Sequence, residues 1–189
     1  MKKKVMALVL LALMVTGLVG CGSDNNASKS EEGKLKVGMV TDTGTIDDKS
    51  FNQGTWEGIK EAEKSFGLET TFMQPNGESE SSYLTEIQNL YDTGYKFIVT
   101  PGYKFETAIY KAQEKYQDAK FVILDGAPMD EDGNYVVADN TVAIQFAEHE
   151  GGFAAGVAAA VELQTGDFGF IGGMESSAVK KFNFGFQQG

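Results

Sequence analysis

Residues 41–54 read Thr-Asp-Thr-Gly-Thr-Ile-Asp-Asp-Lys-Ser-Phe-Asn-Gln-Gly. This polar stretch follows the apolar, strand-like run 34–41 and precedes a run that begins at Phe51 and has apolar residues at helical spacing. A polar loop that leaves a strand and leads into a helix lies at the carboxyl edge of a parallel sheet, where open α/β folds bind ligands. We therefore expect the ligand to be held here.

The rest of the chain repeats this alternation of short apolar runs with segments of helical period. The runs 95–100 and 120–124 are the most continuously apolar, which is typical of a sheet buried on both faces. The alternation predicts a parallel sheet flanked by helices. The predicted strands are 34–41, 68–73, 95–100, 120–124, 134–138 and 167–172, and the predicted helices are 51–66, 81–91, 104–116, 143–163 and one from 177 onward.

The predicted helix 143–163 contains Gly151, Gly152 and Gly156. Glycine in a helix interior costs about 1 kcal/mol relative to alanine, so we expect another backbone to pack closely against this helix and compensate. The strand and helix predicted after it look like the first unit of a second domain. We predict an amino-terminal α/β lobe over 34–165 and the truncated start of a second lobe over 166–189.

The first 21 residues have the features of a secretory signal. Three lysines precede an apolar run, 5–19, that is too short to span a bilayer comfortably. The ending Leu18-Val19-Gly20-Cys21 resembles the bacterial lipobox, in which the cysteine is lipidated and becomes the mature amino terminus. The alternatives are an ordinary signal peptide cut nearby and an uncleaved anchor. We predict a lipoprotein signal peptide over 1–21 with Cys21 as the lipid anchor.

Residues 22–33 are rich in Ser, Asn, Asp, Lys and Glu and are predicted to be a flexible tether. The protein is then held on the extracytoplasmic face of the bacterial cell membrane. Cys21 is the one cysteine, so no internal disulfide can form. The formal net charge of −11 repels nucleic acid and anionic lipid, which leaves small molecules as the expected ligands.

Several polar side chains directly follow predicted strands and should converge at one edge of the sheet. Asp42 and Asp125 each come after a buried apolar run, and two such acids are costly to place together without a ligand rich in hydrogen-bond donors. Carboxylates repel phosphate, so the ligand is expected to be neutral or cationic. The remaining residues of this set are Thr100, Asp139 and Asn140.

Phe51 opens the first predicted helix and offers a flat surface on which a ring can stack, although a place in the helix core is the alternative. Ser50 and Gln53 match a capping box, with the Ser50 oxygen accepting from the Gln53 amide and the Gln53 side chain reaching back to Ser50. The neighbouring Asp47 and Asp48 are interpreted as loop residues that support the site indirectly.

The sequence gives little support to the hypothesis that the protein is an enzyme. Asp42-Thr43-Gly44 matches the short signature of aspartic proteases, but the chain has no second copy and those proteases are all-β. His149 lacks the second histidine of a zinc-protease helix and is interpreted as a solvated helix residue. Residues 130–134 depart from a calcium loop and are interpreted as a surface turn. No phosphate-binding glycine loop is present, so neither a cofactor nor catalysis is predicted.

Four segments together resemble one family of solute-binding proteins. They are 37–53, Val-Gly-Met-Val-Thr-Asp-Thr-Gly-Thr-Ile-Asp-Asp-Lys-Ser-Phe-Asn-Gln; 122–126, Val-Ile-Leu-Asp-Gly; 150–156, Glu-Gly-Gly-Phe-Ala-Ala-Gly; and 168–174, Phe-Gly-Phe-Ile-Gly-Gly-Met. In this order they resemble the basic membrane protein family, the PnrA-like nucleoside-binding lipoproteins of ABC transporters. The resemblance covers about the amino-terminal half of such a protein.

The resemblance implies a type I periplasmic-binding-protein-like fold whose two lobes close on a purine or related nucleoside. Asp42 and Thr43 would contact the base; a purine-binding relative has asparagine at the second position, which leaves the base open. Phe51 would stack on the base with Asn52 in support, and Asp125 would bind the ribose hydroxyls. The implied partners are an ABC permease and ATPase, with the binding protein a monomer.

The alternatives are a protein that binds sugars or autoinducer-like molecules, a sensor or surface antigen without a transport role, and an aspartic-protease-like enzyme. We expect the 189-residue chain itself to bind nucleoside weakly, because one lobe supplies half of the contacts.

Overall fold

A computed structural model describes residues 33–164 and 166–189 of the protein. The predicted signal peptide, Cys21 and the tether up to residue 32 lie outside the described residues. None of the helices within the described ranges is long and apolar enough to cross a membrane.

The described chain is built on one sheet of five parallel strands in the order β2-β1-β3-β4-β5. The predicted parallel sheet is therefore confirmed. β1 lies between β2 and β3, so successive crossovers leave it in opposite directions. The strands are β1 Lys36–Val40, β2 Glu69–Met73, β3 Phe97–Pro101, β4 Lys120–Leu124 and β5 Thr141–Ile144.

Helices lie on both faces of this sheet, as predicted. The helix predicted over 51–66 has those bounds, and it ends where Gly67 adopts a left-handed conformation with φ of 68°. A short 3₁₀ turn, Tyr103–Phe105, precedes the third helix. The helices are α1 Phe51–Phe66, α2 Glu80–Asp92, α3 Glu106–Lys115, α4 Glu148–Leu163 and α5 Ser177–Gln188.

Alternate residues of each strand supply two apolar clusters, one on each side of the sheet. Val40 faces the cluster under α2 and α3, whereas Met39 faces the cluster under α1. The first cluster is the larger and includes Phe105 and Phe121, which are 0% and 1% exposed. This two-sided burial matches the continuous apolar strands in the sequence and holds the strand ends in fixed positions.

The predicted strand 134–138 is wrong; the fifth strand is β5. The backbone of 136–138 bonds instead to the buried side chain of Gln113, which donates to the Val136 carbonyl at 2.8 Å and accepts from the Ala138 N–H at 3.1 Å. The side-chain amide of Gln113 thus makes the hydrogen bonds that a neighbouring strand would make. Asp139 and Asn140 accordingly precede β5 and lie at the opposite edge from the one predicted.

Two further boundaries differ from the prediction. Residues 143–147 belong to β5 and the loop after it, because the β5 backbone pairs with β4 from Phe121–Thr141 to Leu124–Ile144, and the helix starts only at Glu148. The predicted strand 167–172 is a loop, in which Ile171 is 97% exposed. The division into lobes over 34–165 and 166–189 stays a prediction.

The expected close approach of a second backbone to the glycines of α4 is confirmed. A methyl group added at Gly152 would overlap the Phe182 carbonyl oxygen of α5, and one added at Gly156 would overlap that of Phe186. In return, Gly185 of α5 lies against the His149 carbonyl of α4. The two helices therefore pack through their backbones.

Candidate functional site

The strand order reverses at the carboxyl ends of β1 and β3, and such a switch point opens the crevice where open parallel sheets bind ligands. Asp42 lies just beyond β1, and Lys104 lies just beyond β3. The predicted site residue Thr100 is instead inside β3, fully buried, with its hydroxyl donating to the Val122 carbonyl at 3.3 Å. The first group of candidate residues is thus built around Asp42.

Hydrogen bonds with Gly44 and Asn52 hold the carboxylate of Asp42 in place. Its Oδ1 accepts from the Gly44 N–H at 2.7 Å and from Asn52 Nδ2 at 2.7 Å, and its own N–H donates to Asn52 Oδ1 at 3.3 Å. Asn52 is only 2% exposed. The structure therefore places Asn52 beneath Asp42 as a brace, and leaves Asp42 Oδ2 as the oxygen with free acceptor capacity.

The glycine of Asp42-Thr43-Gly44 is explained by the same contacts. A methyl group at Gly44 would come within 2.5 Å of Asn52 Nδ2 and 3.0 Å of Asp42 Oδ1. Gly44 is needed so that the loop can approach this pair. The motif belongs to a parallel α/β sheet, which is not the all-β scaffold of aspartic proteases.

The predicted capping box at Ser50 and Gln53 is wrong. The Ser50 side chain makes no capping hydrogen bond, and Gln53 Oε1 accepts from the Lys49 N–H at 2.9 Å. Asp48 caps α1 instead: its Oδ1 accepts from the Ser50 and Gln53 N–H groups at 2.8 and 3.1 Å. Burial opposes ionisation of Asp48, but these backbone hydrogen bonds, with those from Asn52, lower its pKa. A carboxylate suits the positive end of a helix better than a hydroxyl does.

Phe51 opens α1 with its ring 40% exposed, so it is not part of the helix core. Its edge meets Phe146, which follows β5 and is 48% exposed, with ring centroids 6.1 Å apart and planes at 90°. Two partly exposed aromatic rings therefore meet at the start of α1. Sequence reasoning missed Phe146 because the predicted helix 143–163 ran through it.

Thr43 is bound into a network that the sequence did not predict. Its hydroxyl donates to Glu78 Oε1 at 2.6 Å, and Lys104 Nζ donates to the same oxygen at 2.6 Å. Lys104 Nζ also lies 3.8 Å from Asp42 Oδ2. The hydrogen bonds from Lys104 and then Thr43 lower the pKa of Glu78, so it is ionised and can only accept.

Asp125 lies elsewhere on the same edge, because β3 separates β1 from β4. It has a left-handed backbone with φ of 54°, which a non-glycine residue adopts at some cost, and it lines a cleft of about 850 Å³. Glu148 and Lys181 line that cleft as well and are 3.2 Å apart. Asp42, Thr43, Phe51 and Asn52 are not among its lining residues.

Burial, followed by a hydrogen bond to Glu148 and the charge of that residue, raises the pKa of Asp125. Burial also opposes ionisation of Glu148, but a backbone hydrogen bond and the ammonium of Lys181 outweigh it and lower the pKa of Glu148. The two shifts are opposite because the carboxyls are close and Lys181 forms its ion pair with Glu148, whereas its charge is the smallest of the effects on the pKa of Asp125. Asp125 is thus the member of the pair that keeps a proton to higher pH.

Glu78, Lys104, Glu148 and Lys181 are charged residues that sequence reasoning missed. A signal for Lys104 existed, because it follows a buried strand just as Asp42 does. Glu78 and Glu148 had no comparable signal, since one is in the loop after β2 and the other begins a helix whose start was predicted too early.

His149 and residues 130–134 both lie on the surface. His149 is exposed on α4, and Asp130 Oδ1 accepts from the Asp132 and Asn134 N–H groups at 3.0 and 2.8 Å, which makes 130–134 a surface turn. Over 33–164 and 166–189 no group of His, Cys, Asp or Glu side chains is arranged to hold a metal ion.

Comparison with known proteins identifies the family. Residues 35–189 match the Bmp family, described as ABC transporter substrate-binding protein PnrA-like. The chain belongs to this family. A Bmp relative from Lactococcus lactis, named ABC transporter nucleoside-binding protein BmpA, is 35% identical over 100% of this chain and 53% of its own length. A Listeria innocua relative, named CD4+ T-cell-stimulating antigen, is 33% identical over 100% of this chain and 54% of its own.

Solved structures agree on the fold. An ABC transporter solute-binding protein from Aeropyrum pernix superposes with a TM-score of 0.61 at 24% identity, over 80% of this chain and 41% of that one. One from Mycobacterium smegmatis gives 0.58 at 20% identity, over 82% and 51%. The predicted type I periplasmic-binding-protein-like fold is confirmed. The chain spans about half the length of the curated relatives it matches.

Proposed function

We propose that the protein captures a nucleoside for uptake by an ABC transporter. One observation carries the proposal: at the switch point of the sheet, Gly44 and Asn52 fix Asp42 with one oxygen that accepts no hydrogen bond from the described residues, and the exposed Phe51 directly precedes Asn52 in the chain. Membership of the substrate-binding family and the name of the Lactococcus relative support it.

The free Asp42 oxygen accepts hydrogen bonds from the base, and the Phe51 ring stacks on it, as aromatic side chains do with bases. Asp125 in the 850 Å³ cleft accepts from ribose hydroxyls. Four carboxyl groups at this edge, those of Asp42, Glu78, Asp125 and Glu148, outnumber the two lysines paired with them, Lys104 and Lys181. A nucleoside is therefore favoured over its phosphate esters. Binding requires no bond-breaking step, and the protein acts without catalysis.

In the whole protein, a second lobe closes over the ligand by a hinge motion and the complex is delivered to a permease and ATPase. Lipidation at Cys21 keeps the monomeric binding protein on the extracytoplasmic face of the membrane, next to that permease. One lipid anchor gives surface attachment without a membrane span.

Isothermal titration of the complete protein with adenosine, guanosine, inosine, cytidine and uridine tests the proposal. We expect binding of at least one nucleoside and much weaker binding of the matching monophosphate. Replacing Phe51 with alanine should weaken binding about tenfold or more, since stacking contributes about 1–3 kcal/mol per base. Phe66→Ala is the matched control, because Phe66 is at the other end of α1 and 78% exposed.

Absence of heat with every nucleoside would overturn the proposal. Heat from ribose or galactose alone would favour the sugar-binding alternative. An equal loss of affinity in the Phe51 and Phe66 variants would remove Phe51 from the site.

A further inference from the structure

The hydroxyl of Thr43 has a fixed direction. Glu78 Oε1, 2.6 Å away, belongs to an ionised carboxylate that has no hydrogen to give, so Thr43 must be the donor. The hydroxyl then has only lone pairs left for a ligand. Thr43 is therefore an acceptor toward anything bound at this edge.

Asp42 is likewise an acceptor, since its Oδ1 is used by Gly44 and Asn52, whereas its Oδ2 accepts no hydrogen bond within the described part of the chain and has only the Lys104 ammonium at 3.8 Å. Thr43 is the next residue along the chain and is exposed. Two neighbouring side chains thus present acceptors and no donor to a ligand.

Lys104 supplies a cationic donor near these acceptors. Its ammonium has three N–H bonds, of which one is directed to Glu78 Oε1 at 2.6 Å and another lies toward Asp42 Oδ2 at 3.8 Å. The Lys104 side chain is 32% exposed, so the third N–H can reach a ligand. The edge therefore combines two acceptors with one cationic donor.

We infer that Glu78 and Lys104 set the base preference of the site, and that it favours a nucleoside with adjacent N–H donors beside a carbonyl oxygen, which is the guanine type. This inference rests on the proposed function. Guanine has N1–H and an N2 amino group side by side, with the O6 carbonyl next to N1–H. Hypoxanthine lacks the amino group. Adenine places the ring acceptor N1 beside its single amino group, so one acceptor of the site would face a lone pair.

A site that is arranged for hydrogen bonds discriminates strongly against a ligand that covers its polar groups and leaves them unpaired. We expect guanosine to bind about tenfold or more tightly than adenosine, with inosine between them. The readout is the ratio of the guanosine and adenosine dissociation constants, measured by titration of the complete protein.

Two variants test the named residues. Glu78→Ala frees the Thr43 hydroxyl to rotate and donate, and Lys104→Met removes the donor for O6, so each should reduce the ratio to about threefold or less. Glu61→Ala is the matched control, because Glu61 lies in an exposed ion pair with Lys64, in the second half of α1. Its ratio should equal that of the unchanged protein. Lys104→Arg should retain most of the preference.

The outcomes separate the two proposals. Binding of nucleosides with adenosine as tight as guanosine, or tighter, overturns the inference and leaves the proposed function in place. A preference that survives intact in folded Glu78→Ala and Lys104→Met proteins also overturns it. No binding of any nucleoside overturns the proposed function itself. A guanosine preference lost in both variants and kept in Glu61→Ala supports the inference.

Discussion

The sheet and the α4–α5 pair are held together by different parts of the chain. In the sheet, side chains such as Ile98, Phe121 and Ile123 fill the space between strands and helices and are 0–1% exposed. In the helix pair, the backbones meet at Gly152, and Phe184 is 62% exposed. The same chain thus packs by filling space in one region and by leaving side chains out in the other.

This difference determines what each region tolerates. A core filled by side chains loses stability when atoms are removed and accepts swaps of equal volume. A contact between backbones has no atoms to remove, and it is disrupted by the addition of a single carbon. Opposite substitutions should therefore expose the two kinds of packing.

The largest effect is expected from Phe121→Ala. Phe121 lies in β4 within the larger apolar cluster, so truncation leaves a cavity and should lower the free energy of unfolding by about 3–5 kcal/mol. Urea denaturation measures the change. Phe66→Ala, which truncates a ring 78% exposed, is the control and should change stability little. Similar losses in both variants would contradict the picture of a sheet held by side chains.

Gly152→Ala should also destabilise the protein, by about 1–3 kcal/mol, because the new methyl overlaps the Phe182 carbonyl. The matched control is Gly58→Ala in α1, which meets no atom within 4 Å and should stabilise by about 0.5–1 kcal/mol through helix propensity. Thermal unfolding compares the two, and hydrogen exchange in α5 locates the damage. Stabilisation by both changes would show that α4 and α5 do not pack through their backbones.

The contact between the two regions is expected to depend on pH. Asp125 follows β4, whereas its partners Glu148 and Lys181 belong to α4 and α5, and Glu106 beside it has a pKa raised by burial and then by the charge of Asp125. Because the folded pKa of Asp125 is raised above its ordinary value of 3.8, its stabilising contribution is complete below that pH and is lost as pH rises through the folded pKa.

Asp125→Asn stays neutral throughout. The melting temperature of this variant relative to the unchanged protein should therefore increase as pH rises from about 4 to 7. Asp139→Asn, which makes the same change at an exposed position ahead of β5, is the matched control. A constant or decreasing difference for Asp125→Asn would reverse the assigned direction of the Asp125 shift.

The smallest effect is expected from Tyr83→Phe in the sheet core. The Tyr83 hydroxyl is buried without a hydrogen-bond partner among the described residues, and the residue is 2% exposed. Since an unpaired buried hydroxyl is costly, its removal should leave the free energy of unfolding unchanged or raise it by up to about 1 kcal/mol. A loss of more than about 1 kcal/mol in urea denaturation would reveal a partner for this hydroxyl.

The parts of the fold that the sequence predicted correctly are those with a local signal. Helix α1 begins at Phe51 and ends before Gly67 as expected, because its apolar period and its terminal glycine lie within the segment itself. The strand expected over 134–138 failed for a non-local reason: the side chain of Gln113, from α3, occupies the backbone hydrogen-bonding groups that a strand would use. The apolar composition of a segment does not reveal that a distant side chain will bind its backbone.

The sequence alone determined the parallel α/β class, the position of Asp42 beyond the first strand and the need for a close neighbour at the glycines of α4. Each follows from spacing along the chain. Only the tertiary structure decided that Thr43 donates to Glu78, that Lys104 lies near Asp42 and that Asp125 pairs with Glu148. These contacts connect loops that follow different strands. Their geometry depends on the order of the strands in the sheet, and that order cannot be predicted from any local sequence pattern.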